Sequence, residues 1–549
     1  MTRDRWIAAL IGGLVTGVTL ACSSGQGITR DEAYYMEAGE RYVRYYEDVL
    51  TGRLSQPFAS PTIARYWGYN AEHPPLMKVL YGVSWRVGHG ALSLMPEVTA
   101  FRLPTAAAFG LLCALIYLFF VTALGSRRGA LAAALLMFAQ PRAFFHAQTA
   151  AFDLPAAALW LAVTLAYWRA LGSESWRAAI ATGLVFGLFL STKLQSFLLP
   201  LALLAHWAGL ALVRRAEGRR GPTLRPLVMM GALGPVVMLA LWPWLWHHTL
   251  ARLRVYLDFH WRHPHYHFEY LGRSYDHPPY PWHEPLGMLL LTAPIVLLAL
   301  AAAGTALLCR PSSPLRAGAD DRSTRALLLF AGGPPVAIFV LGALPIYGET
   351  KHWLATMPFL ALCAGYAVDR LGAGLERECG LGGDGWRQTA TSALLILLAV
   401  APAAVETWRS HPYGLSYYNA LAGGAPGGAD LGMNRQYWGY SVKGVLPWLN
   451  ANLRPGARLF LHDANHEAYE RYVRARQLRP DIVDAGGLSA TEAALVVHEK
   501  HFAAVDYAIW EAYGHVGPAE VLTLDGVPLV SVYVRDAAAT TRHRAPMTR

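Results

Sequence analysis

Two short clusters have the residue types for chemistry. Asp31-Glu32 and, about forty residues on, Glu72-His73-Pro74-Pro75-Leu76-Met77-Lys78 share one polar segment straight after the first apolar stretch. A bilayer protein that gathers carboxylates, a His and a rare Lys at one water-facing end of its helices points to chemistry at that boundary. A carboxylate near a lipid surface can hold and deprotonate a hydroxyl, because partial burial raises its pKa towards the useful range. Asp153, in Ala151-Phe152-Asp153-Leu154-Pro155, is a third acid at the same boundary. It also suits the N-cap of the helix that follows, with Pro155 in the first turn.

Lysine narrows the search. The chain holds 42 Arg but five Lys, at 78, 193, 351, 443 and 500. Lys78, Lys193 and Lys351 all fall at one expected face of the membrane part, where an indifferent Lys would tend to drift to Arg. Snorkelling at the interface is the plain alternative. Pro74-Pro75 predicts an extended entry into a helix, with Glu72 and His73 at its start and Lys78 about one turn inside. A helix start with a nearby Lys and His suits a phosphate, and Arg102, opening the next span, adds a second cation. The run His260, His263, His265 and His267 has the chemistry of a Zn²⁺ ligand set, although such sites usually draw ligands from separated elements. Its neighbours Trp261, Tyr266, Phe268 and Tyr270 suit an interfacial aromatic lid equally well. No metal site is assigned; a divalent metal stays open.

The elements that must position these residues are apolar. Of 549 residues, 54% are hydrophobic and 15% charged, the balance of a polytopic membrane protein. Stretches suited to spanning fall near 6–22, 101–124, 129–147, 154–171, 178–192, 195–213, 226–246, 286–308, 326–345, 353–369 and 388–405. With Arg3 and Arg5 cytoplasmic, alternate short loops carry Arg127-Arg128, Arg177, Arg214-Arg215 with Arg219-Arg220, then Arg310–Arg325 and Arg370–Arg387. That is the positive-inside pattern, and an odd number of spans puts the C-terminus outside. The net charge of +10 is therefore a topology signal, with Arg scattered over loops and no nucleic-acid surface. Tyr34, Tyr35, Tyr42, Tyr45 and Tyr46 recur at helical spacings, which predicts a helix lying in the headgroup layer. From about 406 the composition turns soluble: a strand at 458–462, a helix at 464–477 and a hairpin over 520–535 turning at Asp525-Gly526. The expected fold is an all-α polytopic membrane protein of about eleven helices over 1–405, with outer loops 25–100 and 247–284. A small outer α/β domain follows over 406–549.

These motifs resemble the C-type glycosyltransferase superfamily. An Asp-Glu opens a large first outer loop, Glu-His-Pro-Pro-Leu-x-Lys ends it, and Arg102-Leu103-Pro104 opens the second span. Asp153-Leu154-Pro155, Thr192-Lys193, Pro281-Trp282 and Lys351-His352 ahead of Pro358 also match. Within it, bacterial relatives of dolichyl-phosphate-mannose–protein mannosyltransferases and of aminoarabinose–lipid A transferases look closest, over about 1–405. The resemblance implies a bacterial inner-membrane enzyme that takes a sugar from a polyprenyl-phosphate donor, with inversion, and gives it to a hydroxyl of a glycan, lipid or protein. Asp31 matches the base for that hydroxyl, with Glu32 beside it and Asp153 as a second acid. His73, Lys78, Arg102, Lys193 and Lys351 match the donor-phosphate side, with Glu72 and His352 lining the site. Lipid A transferases carry Lys where this chain has His73, which leaves the sugar open. A transporter or lipid flippase is the main alternative, but transporters place ionisable groups near the midplane and often show inverted repeats. Neither feature is visible here, nor is a Gly-rich nucleotide loop or a Gly-x-Ser-x-Gly elbow.

Overall fold

Every one of the eleven apolar stretches forms a helix or a pair of helices in the computed structural model, which describes residues 2–263, 266–310, 321–346, 349–379 and 385–536. Six are long and apolar enough to cross a membrane: Thr2–Gly25, Glu97–Ala123, Asp153–Ser173, Leu194–Ala216, Leu354–Glu378 and Gly385–Ser410. Two more are bent pairs, Glu284–Thr292 with Ile295–Leu308 at 116° and Arg322–Gly332 with Pro334–Val340 at 46°, so up to eight such spans lie among the described residues. Trp176–Leu190 and Arg225–Leu241 are shorter apolar helices. The stretch 129–147 divides into Arg127–Phe138 and Pro141–Ala147, because Pro141 lacks the N–H that would carry the helix through. The chain is a multi-pass membrane protein, and its spans are more broken than their composition suggests.

The bundle buries one large apolar cluster, which includes Phe109, Trp160, Phe189 and Leu203. Its outer flank keeps Leu10, Leu201, Leu397 and Leu398 exposed, as lipid-facing positions require.

At one end of the bundle the helix Arg30–Leu50 starts from a capping box. The Thr29 side chain accepts from the Glu32 N–H, and the Glu32 carboxylate accepts from the Thr29 N–H. The tyrosine pattern does not form a headgroup belt: Tyr35, Tyr42 and Tyr45 are buried, and only Tyr34 and Tyr46 are exposed. Tyr42 stacks on Trp67 at 4.3 Å, so this face packs against the helix Ser60–Trp67 instead of lipid. The helix Leu76–Trp85 crosses close by. A Cβ on Gly82 would sit 2.2 Å from Gly39 O, so glycine at both positions lets the two backbones meet and brings the Lys78 turn beside the Asp31 helix.

The strands are β1 (Phe268–Tyr270), β2 (Arg273–Tyr275), β3 (Arg458–Phe460), β4 (Val483–Asp484), β5 (Ala493–Val497), β6 (Glu520–Leu524) and β7 (Val527–Val534). β1 and β2 form a hairpin in the 247–284 loop. The others form a five-stranded sheet in the order β4-β3-β5-β7-β6, parallel across β4-β3-β5 and antiparallel across β5-β7-β6. Asp525 and Gly526 both take positive φ in the expected two-residue turn. One apolar face of the sheet shares a cluster with Ile28 and Ala33 from the first loop. Ahead of the sheet, residues 414–445 run back among the helices, with Leu415, Tyr437, Trp438 and Tyr440 packed around Phe145.

Candidate active site

Asp31 and Glu32 are neighbours in sequence but about 100° apart around a helix, and that rotation separates their roles. Glu32 faces inward and is fully buried. Its carboxylate takes Arg102 Nε at 2.7 Å and Nη2 at 2.9 Å, and the Ala150 N–H at 2.7 Å. Arg102, equally buried, gives its other protons to Ser23 O, Gln26 O and Gly27 O. All five donors of the guanidinium are therefore used within the scaffold, and the pair presents neither a base nor a spare cation to a ligand.

Asp31 faces the other way and its side chain is 30% exposed. The Trp438 indole N–H donates to Oδ2 at 2.9 Å, and Lys351 Nζ lies 3.5 Å from the same oxygen. The Lys351 ammonium also sits 4.4 Å from the Trp438 ring centroid, a cation–π contact. Burial lowers the Lys351 pKa, and the Asp31 and Asp153 charges act against that shift. Lys193 Nζ bonds Asp153 Oδ1 at 2.7 Å and reaches Lys351 O at 3.4 Å. The arrangement is a row of alternating charge, Asp153, Lys193, Lys351 and Asp31. His352 continues the strap, its carbonyl accepting from Gln195 Nε2 at 3.1 Å.

The strap Glu349–His352 is anchored from behind. Arg142 Nη1 bonds Glu349 Oε2 at 2.6 Å and Thr350 Oγ1 at 3.1 Å, and Asn434 Nδ2 bonds Glu349 Oε1 at 2.8 Å. Glu349 holds a left-handed φ of 45°, the kind of backbone strain that surrounding contacts must over-determine.

The Glu72–Lys78 turn closes a neighbouring wall. Lys78 is fully buried, and its ammonium bonds Asn70 O at 2.6 Å, Asn70 Oδ1 at 3.0 Å and His73 O at 2.8 Å. Three acceptors match three protons, so Lys78 fastens the turn and has none left for a phosphate. Burial pulls its pKa down to about 7, with Glu72 opposing. Glu72 Oε1 accepts from Asn70 Nδ2 at 2.7 Å, and its backbone O lies 3.1 Å from His260 Nε2. The His73 ring sits among Tyr35, Phe152, Phe259 and His260 at 5.2 to 5.9 Å. Burial and the nearby Lys78, His260, His263 and Lys351 charges hold it well below the ordinary histidine pKa, so it offers a neutral N–H donor. The His run scatters: His260 goes to Glu72, His263 packs against Phe259 and His267 goes to Asp276, while His265 lies outside the described residues. Among the described residues no three His, Cys, Asp or Glu side chains come together to hold a metal.

Residues 72–247 match the family model described as dolichyl-phosphate-mannose-protein mannosyltransferase. The structure is similar to that of ArnT from Cupriavidus metallidurans in the apo state, with a TM-score of 0.51 at 16% identity over 99% of this chain and 100% of that one. The chain has the fold of that ArnT structure. The same ArnT bound to undecaprenyl phosphate aligns over 98% of this chain and 99% of that chain (TM-score 0.49, 16% identity). The apo oligosaccharyltransferase of Archaeoglobus fulgidus aligns over 74% of this chain and 55% of its own (TM-score 0.47, 14% identity). No curated protein sequence matches the chain closely enough to count as a relative.

Of the expected site residues, the structure brings together Asp31, Asp153, Lys193, Lys351 and His73. Glu32, Arg102 and Lys78 lie behind them with their polar atoms already engaged. Sequence reasoning missed Trp438, His146 and the Arg142–Glu349 anchor. One signal was available for Glu32: Thr29-x-x-Glu32 is a capping-box spacing, which assigns that acid to the helix start. Trp438 had no such signal, being 407 positions from the carboxylate it meets.

Proposed function

We propose that this protein is an inverting glycosyltransferase that moves a sugar from a polyprenyl-phosphate donor to an acceptor hydroxyl at the outer face of a bacterial inner membrane. The row of Asp153, Lys193, Lys351 and Asp31 carries this reading, because it sets a partly exposed carboxylate beside two ammonium groups at one end of the bundle. The family model over 72–247 and the fold support it.

Transfer has two demands. The lipid phosphate leaves as the bond from its oxygen to the anomeric carbon breaks, and the developing charge needs cations more than a proton. Lys193 and Lys351 supply them, with the His73 N–H as a further donor. The acceptor oxygen forms the new bond to the opposite face of that carbon, which inverts it, and its proton goes to a carboxylate. Asp31 is that base. Both of its described contacts fall on Oδ2, so Oδ1 is the oxygen they do not occupy. A donor phosphate also competes with Asp31 for Lys351, so donor binding loosens the ion pair and readies the base. Asp153 acts by holding Lys193 in place, and Glu72 and His352 support the walls. Arg3 and Arg5 lie on the cytoplasmic side, and the sheet domain lies outside.

The test is release and transfer of sugar from radiolabelled polyprenyl-phosphate-mannose, then from other lipid-linked sugars, by the full chain in detergent. Asp31→Asn should abolish transfer with folding intact, and Lys351→Gln should raise the donor KM. Near-normal turnover by Asp31→Asn would remove it from the role of base. Inactivity of the wild type with every lipid-linked sugar would turn attention to the transport reading.

A further inference from the structure

His146 lies in the last turn of the short helix Pro141–Ala147 and is 1% exposed, yet neither ring nitrogen has a hydrogen-bond partner. Buried polar atoms in native structures are nearly always paired, and each exception calls for an explanation. The imidazole is not set in a purely apolar pocket where it passes for a small aromatic ring. Its ring lies edge-to-face with Trp438, centroids 5.5 Å apart, and Trp438 donates to Asp31. Asp153, Lys193, Lys351 and Arg142 are the charged groups near enough to act on it. The charge row takes up its own members: Lys193 turns to Asp153, and Lys351 to Asp31 and Trp438. His146 adds to this cluster two ring nitrogens that have no hydrogen-bond partner.

We propose that His146 binds a hydroxyl group of the transferred sugar and positions its ring for attack, an inference that rests on the transferase reading above. A neutral imidazole has one N–H donor and one acceptor nitrogen, and a sugar hydroxyl both donates and accepts. With the phosphate at Lys193 and Lys351 and the acceptor at Asp31, the sugar ring lies between them, against the wall that His146 and Trp438 form. His146 is thus a specificity residue: a sugar lacking the matching hydroxyl leaves the ring nitrogen unpaired in a buried site. Sites built to hydrogen-bond a hydroxyl reject the analogue that lacks it, whereas apolar pockets discriminate weakly.

The experiment compares wild type, His146→Gln and His146→Phe on undecaprenyl-phosphate-mannose and its monodeoxy analogues, as full chains in nanodiscs. Wild type should lose about tenfold in kcat/KM with at least one deoxy donor. His146→Phe should show that loss on the parent donor and no further loss with that analogue; His146→Gln should keep part of the discrimination. Undiminished discrimination by His146→Phe overturns the proposal, as does parent turnover at the wild-type rate. A second readout needs no turnover. His146→Phe removes two unpaired polar atoms without emptying the site, so the Tm of the unliganded protein should hold or rise, and a fall of several degrees overturns the proposal. Inactivity of the wild type with all lipid-linked sugars is the separate failure of the transferase reading, and it withdraws this inference with it.

Discussion

Replacing Glu32 separates scaffold from catalyst. Its carboxylate meets Arg102 through two bonds of 2.7 and 2.9 Å, and takes the Ala150 and Thr29 N–H groups at 2.7 and 3.2 Å. Glu32→Gln keeps the shape but removes the charge and turns an amide N–H₂ towards a guanidinium already held by three carbonyls. A buried pair broken on one side costs about 3–5 kcal/mol, most of it from the stranded charge. Unfolding of the purified protein in mixed micelles should therefore shift by about 3–5 kcal/mol for Glu32→Gln and likewise for Arg102→Met. The double variant should recover much of that loss, because no charge is left buried alone. Turnover per folded molecule should stay within a few-fold of wild type. A Glu32→Gln protein as stable as wild type but without transfer would refute this reasoning and restore Glu32 as a catalytic acid.

Trp438→Phe deletes the N–H that meets Asp31 at 2.9 Å while keeping the ring under Lys351. Hydrogen bonds to charged groups contribute about 1.5–3 kcal/mol, so kcat should fall roughly ten- to hundredfold with the donor KM little changed; steady-state kinetics decides, and an unchanged kcat dismisses the contact. Gly27→Ala would put a Cβ 1.8 Å from Tyr440 O, so the segment carrying Trp438 should detach and become open to limited proteolysis near 438–445; resistance equal to wild type contradicts the docking. Burial pushes Asp463 up to about 6 against the pull of its partner Arg30, and burial raises Glu499 beside it in the same direction. Between about pH 4 and 6 the folded protein holds more protons there than the unfolded chain, so stability present below pH 4 is lost as pH rises through 6. Asp463→Asn should flatten that part of a pH–stability profile, and an unchanged slope would assign it to other groups.

What could be read from sequence was whatever is decided locally. An apolar run of span length forms a helix wherever it stands, so all eleven stretches were visible; the breaks were not, since Pro141, Pro294 and Pro334 end a helix while Pro104, Pro235 and Pro402 stay inside one. The Asp525-Gly526 hairpin was equally legible, because the two-residue turn states its own φ requirement. Lys193, Lys351, Asp31 and Asp153 stood out as rare ionisable groups at helix ends. Which of them pair was not legible, since a charge shows its presence in sequence but not its partner. Lys78 and Arg102 looked like phosphate cations until Asn70, His73 and the 23–27 carbonyls appeared around them.

The tail is the largest such gap. Residues 406–549 read as a separate soluble domain because their composition changes, yet composition reports solvent exposure and says nothing of docking. Asp31 is the second residue of a helix whose first residue, Arg30, is pinned at three points to that tail. The Arg30 N–H donates to Trp438 O at 2.9 Å, Asn465 Nδ2 donates to Arg30 O at 2.9 Å, and the Arg30 guanidinium pairs with Asp463. A carboxylate at a helix start, partly open to water, has few local constraints on its direction. The tail supplies them, which is why the indole that orients Asp31 comes from the far end of the chain.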